Sequence, residues 1–354
     1  EAMGGSATEG GISNNPGISA RPSLAIVPAA ASSVGSAFAD MPYVAWHDLS
    51  QGAGEIYVRR WNGASWESVG AGSATGGGIS NNPGESYDAS LAITPQGEPW
   101  VAWTNLPAPG SGSADSEIYV RRFDGVSWVE VGAGSATGGG ISNNSGISEE
   151  PSIAIGSDGS VFVAWTDDSS GDAEIYAKRW NGSAWVTVGA NSASGGGISN
   201  NTESSRSPSL AVVSANQAYV AWVDRSGGDT EIYAMLWNGV AWSPAGANAA
   251  SGGGISNNAG DSLEVSLSIG RNMLPFAAWT DLSSGGGGEI YARRWNGTTW
   301  QQVGTSATWG GISANPEYSS EPTAAVAPDA TPYVIWSNAV TGGSAVYARR
   351  YMTR

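Results

Sequence analysis

The chain has 354 residues, with 15 Lys and Arg against 31 Asp and Glu and a net charge of −16, so its average field excludes nucleic acid and anionic membrane surfaces as partners. With 52 Gly, 17 Trp and no Cys, the composition suits many short strands and leaves little material for helices or disulfide staples. No apolar run is long enough for a membrane-spanning helix, which argues against membrane insertion. The chain begins at Glu1 with neither an initiator Met nor a signal-peptide pattern, as a processed or partial chain would.

From the N-terminus onward the chain repeats itself. The isoleucine of a GIS motif falls at Ile12, Ile79, Ile141, Ile198, Ile255 and Ile312, and the tryptophan of a VAW-type motif at Trp46, Trp103, Trp165, Trp222, Trp279 and Trp336. The commonest spacings, 24 and 33 residues, sum to a period of 57, and six periods account for 342 of the 354 positions. Units of this length bury their apolar faces against one another, so a single closed domain over residues 1–354 is expected.

The third repeat serves as template. Pro151 to Ile155, Val161 to Asp167, Glu174 to Trp180 and Ala184 to Val188 are four short segments rich in β-formers. In the second, Val163, Trp165 and Asp167 point to one face and Phe162, Ala164 and Thr166 to the other, which sets an indole opposite a neighbour's alanine. Asn181-Gly182 predicts a two-residue hairpin turn between the third and fourth strands. In the GGGISNN connector that follows, Ile reads as a buried plug and the Asn amides as partners for loop backbone. The glycine run lacks a lysine and a following helix, so it is no phosphate loop.

The second strand ends on Asp48, Asn105, Asp167, Asp224, Asp281 or Asn338, and the third begins on Glu55, Glu117, Glu174, Glu231 or Glu289, with Ala345 in the sixth copy. Paired carboxylates are the equipment of a glycosidase. A catalytic pair is singular, however, and these recur, so turn capping by Asp and pairing of Glu with strand arginines is the first reading. The run Asp167 to Asp172 offers oxygen ligands, but its spacing matches no EF-hand loop; no cofactor or metal is expected, with calcium as the alternative.

Departures from the repeat are few. Insertions fall near Ala30 to Asp40 and Leu106 to Ser116, His47 is the only histidine, and Trp309 replaces a connector glycine as a candidate stacking platform. The fourth-strand tryptophan occurs five times, at Trp66, Trp128, Trp185, Trp242 and Trp300. The N-terminal residues are therefore expected to close against Ala345 to Tyr351. Ala345, Val346, Tyr347 and Ala348 would form an edge open to self-association or strand addition.

The stretch VAWTDDSSGDAEIYAKRWNG resembles the blades of bacterial TolB-like and sialidase-like propellers. The resemblance implies an all-β, six-bladed β-propeller of four-stranded antiparallel blades, the sixth closed or left incomplete at the termini. Glu55, Tyr57, Arg59 and Trp61 bear a looser resemblance to the inter-blade sugar pockets of fungal fucose-binding lectins; Met235 and Leu236 depart from it in the fourth repeat.

With no histidine-containing triad, cysteine nucleophile or cofactor fingerprint, the sequence points to a non-catalytic binding module, secreted or on a bacterial cell surface. Its ligand would be a glycan or a partner protein, held on the loop rim by Trp309, Asp48, Asp167, Asp224, Asp281, Asn105 and Asn338. The alternatives are a propeller-type glycoside hydrolase or lyase, and a structural subunit of an extracellular assembly that uses the sixth-blade edge.

Overall fold

The computed structural model describes residues 3, 4, 6, 10–27, 40–110, 115–285, 287–307, 310–314 and 317–351. Every regular element among them is a strand. The first repeat forms β1 (Ser19–Ile26), β2 (Pro42–Asp48), β3 (Glu55–Trp61) and β4 (Trp66–Ser68). The second forms β5 (Ser86–Ile93), β6 (Pro99–Asn105), β7 (Glu117–Phe123) and β8 (Trp128–Glu130). The third forms β9 (Ser148–Ile155), β10 (Val161–Asp167), β11 (Glu174–Trp180) and β12 (Trp185–Thr187). The fourth forms β13 (Ser205–Ser214), β14 (Gln217–Asp224), β15 (Glu231–Trp237) and β16 (Trp242–Pro244). The fifth forms β17 (Ser262–Ile269), β18 (Pro275–Asp281), β19 (Glu289–Trp295) and β20 (Trp300–Gln302). The sixth supplies β21 (Ser319–Val326), β22 (Pro332–Val340) and β23 (Gly343–Arg350).

Each repeat is one antiparallel meander, giving five four-stranded sheets and one of three strands among the described residues. By internal contact the chain divides into one unit of Glu1–Ser170 with Ala177–Thr187 and another of Gly171–Tyr176 with Val188–Arg354.

Indole against alanine is the packing rule within each unit. In the first, Ala45 and Val58 of one blade share a core with Trp103 and Tyr119 of the next. In the second, Ala221 and Ala234 pack with Trp279 and Tyr291, and Ala278 and Ala292 with Trp336. Large opposite small fills the space between twisted sheets without voids. First strands of successive blades are also stitched together: Leu91 N donates to Ser23 Oγ at 2.9 Å and Ile153 N to Ser90 Oγ at 3.1 Å. Leu267 N donates to Ser209 Oγ at 2.9 Å in the same manner.

Two expectations change. The WNG turn is longer than two residues: Trp180 pairs with Trp185, and Asn181 Oδ1 accepts from Ser183 N and Ala184 N at 2.9 and 2.8 Å. An Asx cap, not a two-residue type I′ turn, closes it. The first strands begin before Pro151 and its counterparts, because a β-bulge lets pairing continue past the proline.

At the N-terminus, Trp66 Nε1 donates to Met3 O at 3.1 Å. A Cβ at Gly4, whose φ is +55°, would strike the Trp61 ring. Met3 and Gly4 thus contact the first blade, while Glu1, Ala2 and Gly5 of the segment expected to close against Ala345 to Tyr351 lie outside the described residues. Ala345, Val346, Tyr347 and Ala348 lie on β23, the last strand of its sheet among the described residues.

Candidate active site

The recurrent strand-two acids are interior caps. Asp48, Asp167, Asp224 and Asp281 are at most 1% exposed, and Asn105 and Asn338 are buried as well. Asp224 is typical: Oδ2 accepts from Asn201 Nδ2, Ser205 Oγ and Trp222 Nε1 at 2.7, 2.8 and 2.8 Å, while Oδ1 accepts from Ser226 N at 2.9 Å. One carboxylate thereby ties together the connector, the first strand, the indole and the following turn. Burial pushes the Asp48 carboxyl up, but the donors Ser50, Trp46 and Asn15 outweigh it and hold the group below its ordinary range.

Asn105 follows from the turn chemistry. Pro107 stands where Ser50 and Ser226 stand in their blades and has no N–H to give; Asn105 instead donates through Nδ2 to Leu106 O at 3.0 Å.

The strand-three glutamates do not pair with arginines. Glu55, Glu117, Glu174, Glu231 and Glu289 each accept from the serine of the following GIS motif, Ser80, Ser142, Ser199, Ser256 and Ser313. The next blade's cation takes the carbonyl beside that serine: Arg121 Nη1 donates to Ile79 O, and Lys178 Nζ to Ile141 O, both at 2.7 Å. Burial raises the Glu117 and Glu174 carboxyls to about 7. This perturbation recurs in direction at Glu55 and Glu231, so it belongs to the scaffold.

Trp309 lies outside the described residues, as do most of the Ala30 to Asp40 insertion and 111–114 of the other. Among the described residues no group of three His, Cys, Asp or Glu is placed to hold a metal ion, and no helix is long and apolar enough to cross a membrane.

What breaks the pseudo-symmetry is the bulge of the first strand. Arg21, Asp88, Glu150, Ser207, Glu264 and Glu321 occupy it, one per blade, with φ between +51° and +56°. Left-handed backbone strains a side-chain-bearing residue, and four of the six also precede proline, which favours extended backbone. The bulge recurs in every blade and so belongs to the scaffold; what differs from blade to blade is the side chain it presents. The bulge sits at the end of the blade where connectors and strand-two turns meet, since Ser19 pairs with Asp48 nearby.

In the first unit the bulge residues form a charged cluster. Arg21 makes an ion pair with Asp88 of the next blade, its own side chain 66% exposed. His47, half-buried on β2, is influenced by both; burial, above all, keeps its imidazole below the ordinary pKa and so neutral at pH 7. Tyr87 adjoins Asp88, and its hydroxyl is pushed up chiefly by burial and then by Glu149 and Asp88. Glu150 Oε2 accepts from Thr166 Oγ1 at 2.9 Å, and its N–H donates to Thr104 Oγ1 at 3.2 Å. Arg21 and Asp88 are thus in contact, His47 and Tyr87 feel their charge, and the Glu150 charge acts on Arg21.

In the second unit, Glu264 Oε2 accepts from Thr280 Oγ1 and from Glu321 N, both at 2.7 Å. Beside it lies an open cavity of about 420 Å³ lined by Ser204, Arg206, Ser207, Arg225, Thr230 and Glu264.

Sequence reasoning passed over the bulge residues because their shared signal, a variable polar residue three positions before the conserved apolar pair, looks like ordinary strand exposure. His47 was noticed, but its neighbours Arg21 and Asp88 are 67 positions apart and meet only in the fold.

No family profile and no curated protein matches the chain. Solved structures do. A protein of unknown function from Dyadobacter fermentans is 13% identical, with 95% of each chain covered and a TM-score of 0.54. The intramolecular trans-sialidase of Ruminococcus gnavus is 9% identical, with 94% of each chain covered and a TM-score of 0.55. The α-L-arabinofuranosidase Arb93A of Fusarium graminearum is 11% identical over 94% of this chain and 92% of that one, with a TM-score of 0.50.

With six meander sheets, this likeness establishes the six-bladed β-propeller fold, with a three-stranded final blade among the described residues. It also corrects the functional expectation. Two of the three named neighbours are enzymes, a trans-sialidase and an α-L-arabinofuranosidase, and the reading as a non-catalytic binding module is not upheld.

Proposed function

We propose that the chain is a glycoside hydrolase acting on an extracellular glycan, with its reaction centre at Arg21, His47, Tyr87, Asp88 and Glu150. The observation that carries this reading is the Arg21 to Asp88 ion pair at strained bulges beside the chain's one histidine. Glycosidic cleavage needs one carboxyl to protonate the departing oxygen and a second to meet the positive charge growing at the anomeric carbon. Asp88 accepts from a guanidinium and suits the second role, as base or nucleophile. Glu150, oriented by the Thr166 hydroxyl, suits the first.

Glu150 gives its proton to the leaving oxygen as the bond to the anomeric carbon breaks. Water supplies the replacement oxygen and returns a proton to the carboxylates. Neutral His47 and the Tyr87 hydroxyl can hydrogen-bond sugar hydroxyls, and Arg21 holds Asp88 in place.

The test is release of reducing sugar from a panel of polysaccharides and aryl glycosides. Asp88→Asn and Glu150→Gln should each lower kcat by roughly 10² or more while leaving the circular dichroism unchanged. A wild-type protein that cleaves nothing on the panel, or variants that retain its rate, would count against the proposal.

A further inference from the structure

We infer that the interface between the fourth and fifth blades carries a binding pocket for a hexuronate, a single sugar ring bearing a carboxylate. A cavity of about 190 Å³ opens there, lined by Asn248, Asn257, Arg293, Trp295, Thr299 and Trp300. Sites for larger ligands enclose roughly 300–1,000 Å³, so this one suits one ring. It shares no residue with the proposed reaction centre.

The guanidinium selects the charge. In the first three blades the strand-three cation is a strut: Arg59 Nη1 donates to Ile12 O, Arg121 Nη1 to Ile79 O and Lys178 Nζ to Ile141 O, each at 2.7 Å. Arg293 breaks the pattern. Its hydrogen bond runs from Nη2 to Ser256 O, one residue beyond the isoleucine, and is 3.2 Å long. It forms no ion pair among the described residues, and its Nε is buried without a hydrogen-bond partner among them. A half-buried cation of this kind is stabilised by an anion that reaches it, and the planar fork of a guanidinium matches a carboxylate. The strut itself is dispensable, since Met235 holds the same register in the fourth blade.

The rest of the wall suits a sugar ring. Gly72 and Gly134 stand at the position of Asn248 in earlier connectors, with φ of +78° and +79° against +61°. Glycine makes this turn equally well; what Asn248 adds is an amide on the cavity wall. Trp295 and Trp300, with ring centroids 5.7 Å apart and planes at 48°, supply apolar surface. The Trp300 N–H is committed to Ala245 O at 2.8 Å, which leaves Asn248, Asn257 and Thr299 to meet hydroxyls.

The probe is D-glucuronate, titrated calorimetrically into the full chain at about 0.15 M salt, where charges more than about 8 Å away are screened. Saturable binding is expected, with D-glucose at least about tenfold weaker. Arg293→Met and Asn248→Gly each introduce the residue that another blade carries at that position, so circular dichroism should be unchanged. The first should weaken glucuronate at least about tenfold and the second at least about threefold. No saturation up to about 10 mM glucuronate, equal binding of glucose, or undiminished binding by a folded Arg293→Met chain would overturn the inference. The readout is binding alone and does not depend on glycan hydrolysis.

Discussion

Arg21 and Asp88 hold the same bulge position one blade apart, and their side chains meet in an ion pair. A repeat built from near-identical blades becomes singular at this point, because the first blade puts a cation where the second, third, fifth and sixth put carboxylates.

Removing that cation should separate catalysis from stability. Arg21→Ala loses an ion pair whose arginine is largely exposed, so unfolding free energy should change by less than about 1 kcal/mol. On a glycan that the wild type cleaves, kcat should fall by about tenfold to a hundredfold. Chemical denaturation and initial rates on the same preparation check both halves. An unfolding change well above that bound would give Arg21 a structural role.

The Asp caps should behave in the opposite sense. Asp224→Ala leaves the Trp222 indole, Asn201 and Ser205 without their shared acceptor in a site that is 0% exposed, and each orphaned buried donor costs about 1–3 kcal/mol. A loss of at least about 3 kcal/mol is expected in urea unfolding. A loss below 1 kcal/mol would show that water replaces the carboxylate.

Trp242→Phe keeps most of the ring but deletes the N–H that reaches Val188 O at 2.8 Å. About 1 kcal/mol of stability should disappear, together with faster hydrogen exchange in the 188–192 connector. Unchanged exchange there would deny the indole its role as a clip.

Stability should fall as pH rises through the scaffold glutamates. Burial lifts Glu117 and Glu174 from 4.5 to about 7, so between those values the folded chain keeps protons that the unfolded chain releases. Their stabilising effect is complete below about 4.5 and is lost as pH climbs to about 7. The midpoint of thermal unfolding should therefore drop from pH 5 to pH 8. Glu174→Gln should flatten that slope, and an unaltered slope would remove Glu174 as a contributor.

The periodicity of isoleucine and tryptophan determined the number of blades, their strand count and the indole-on-alanine packing, because alternation along a strand sorts side chains by face before any tertiary contact exists. The shortened last blade was legible for the same reason, as a fifth and final fourth-strand Trp300. The strand-two Asp residues are legible as turn formers and equally as rim ligands; their burial and their union with Asn201 and Trp222 are not visible in sequence, since Asn201 and Asp224 lie 23 positions apart in a connector and a strand.

The bulge was decided by the fold alone. A φ of +51° at Arg21 violates local preference and is held by the pairing on either side of it, which brings Arg21 to Asp88. Local sequence encodes what each strand prefers; the candidate site arises where tertiary contact overrides that preference.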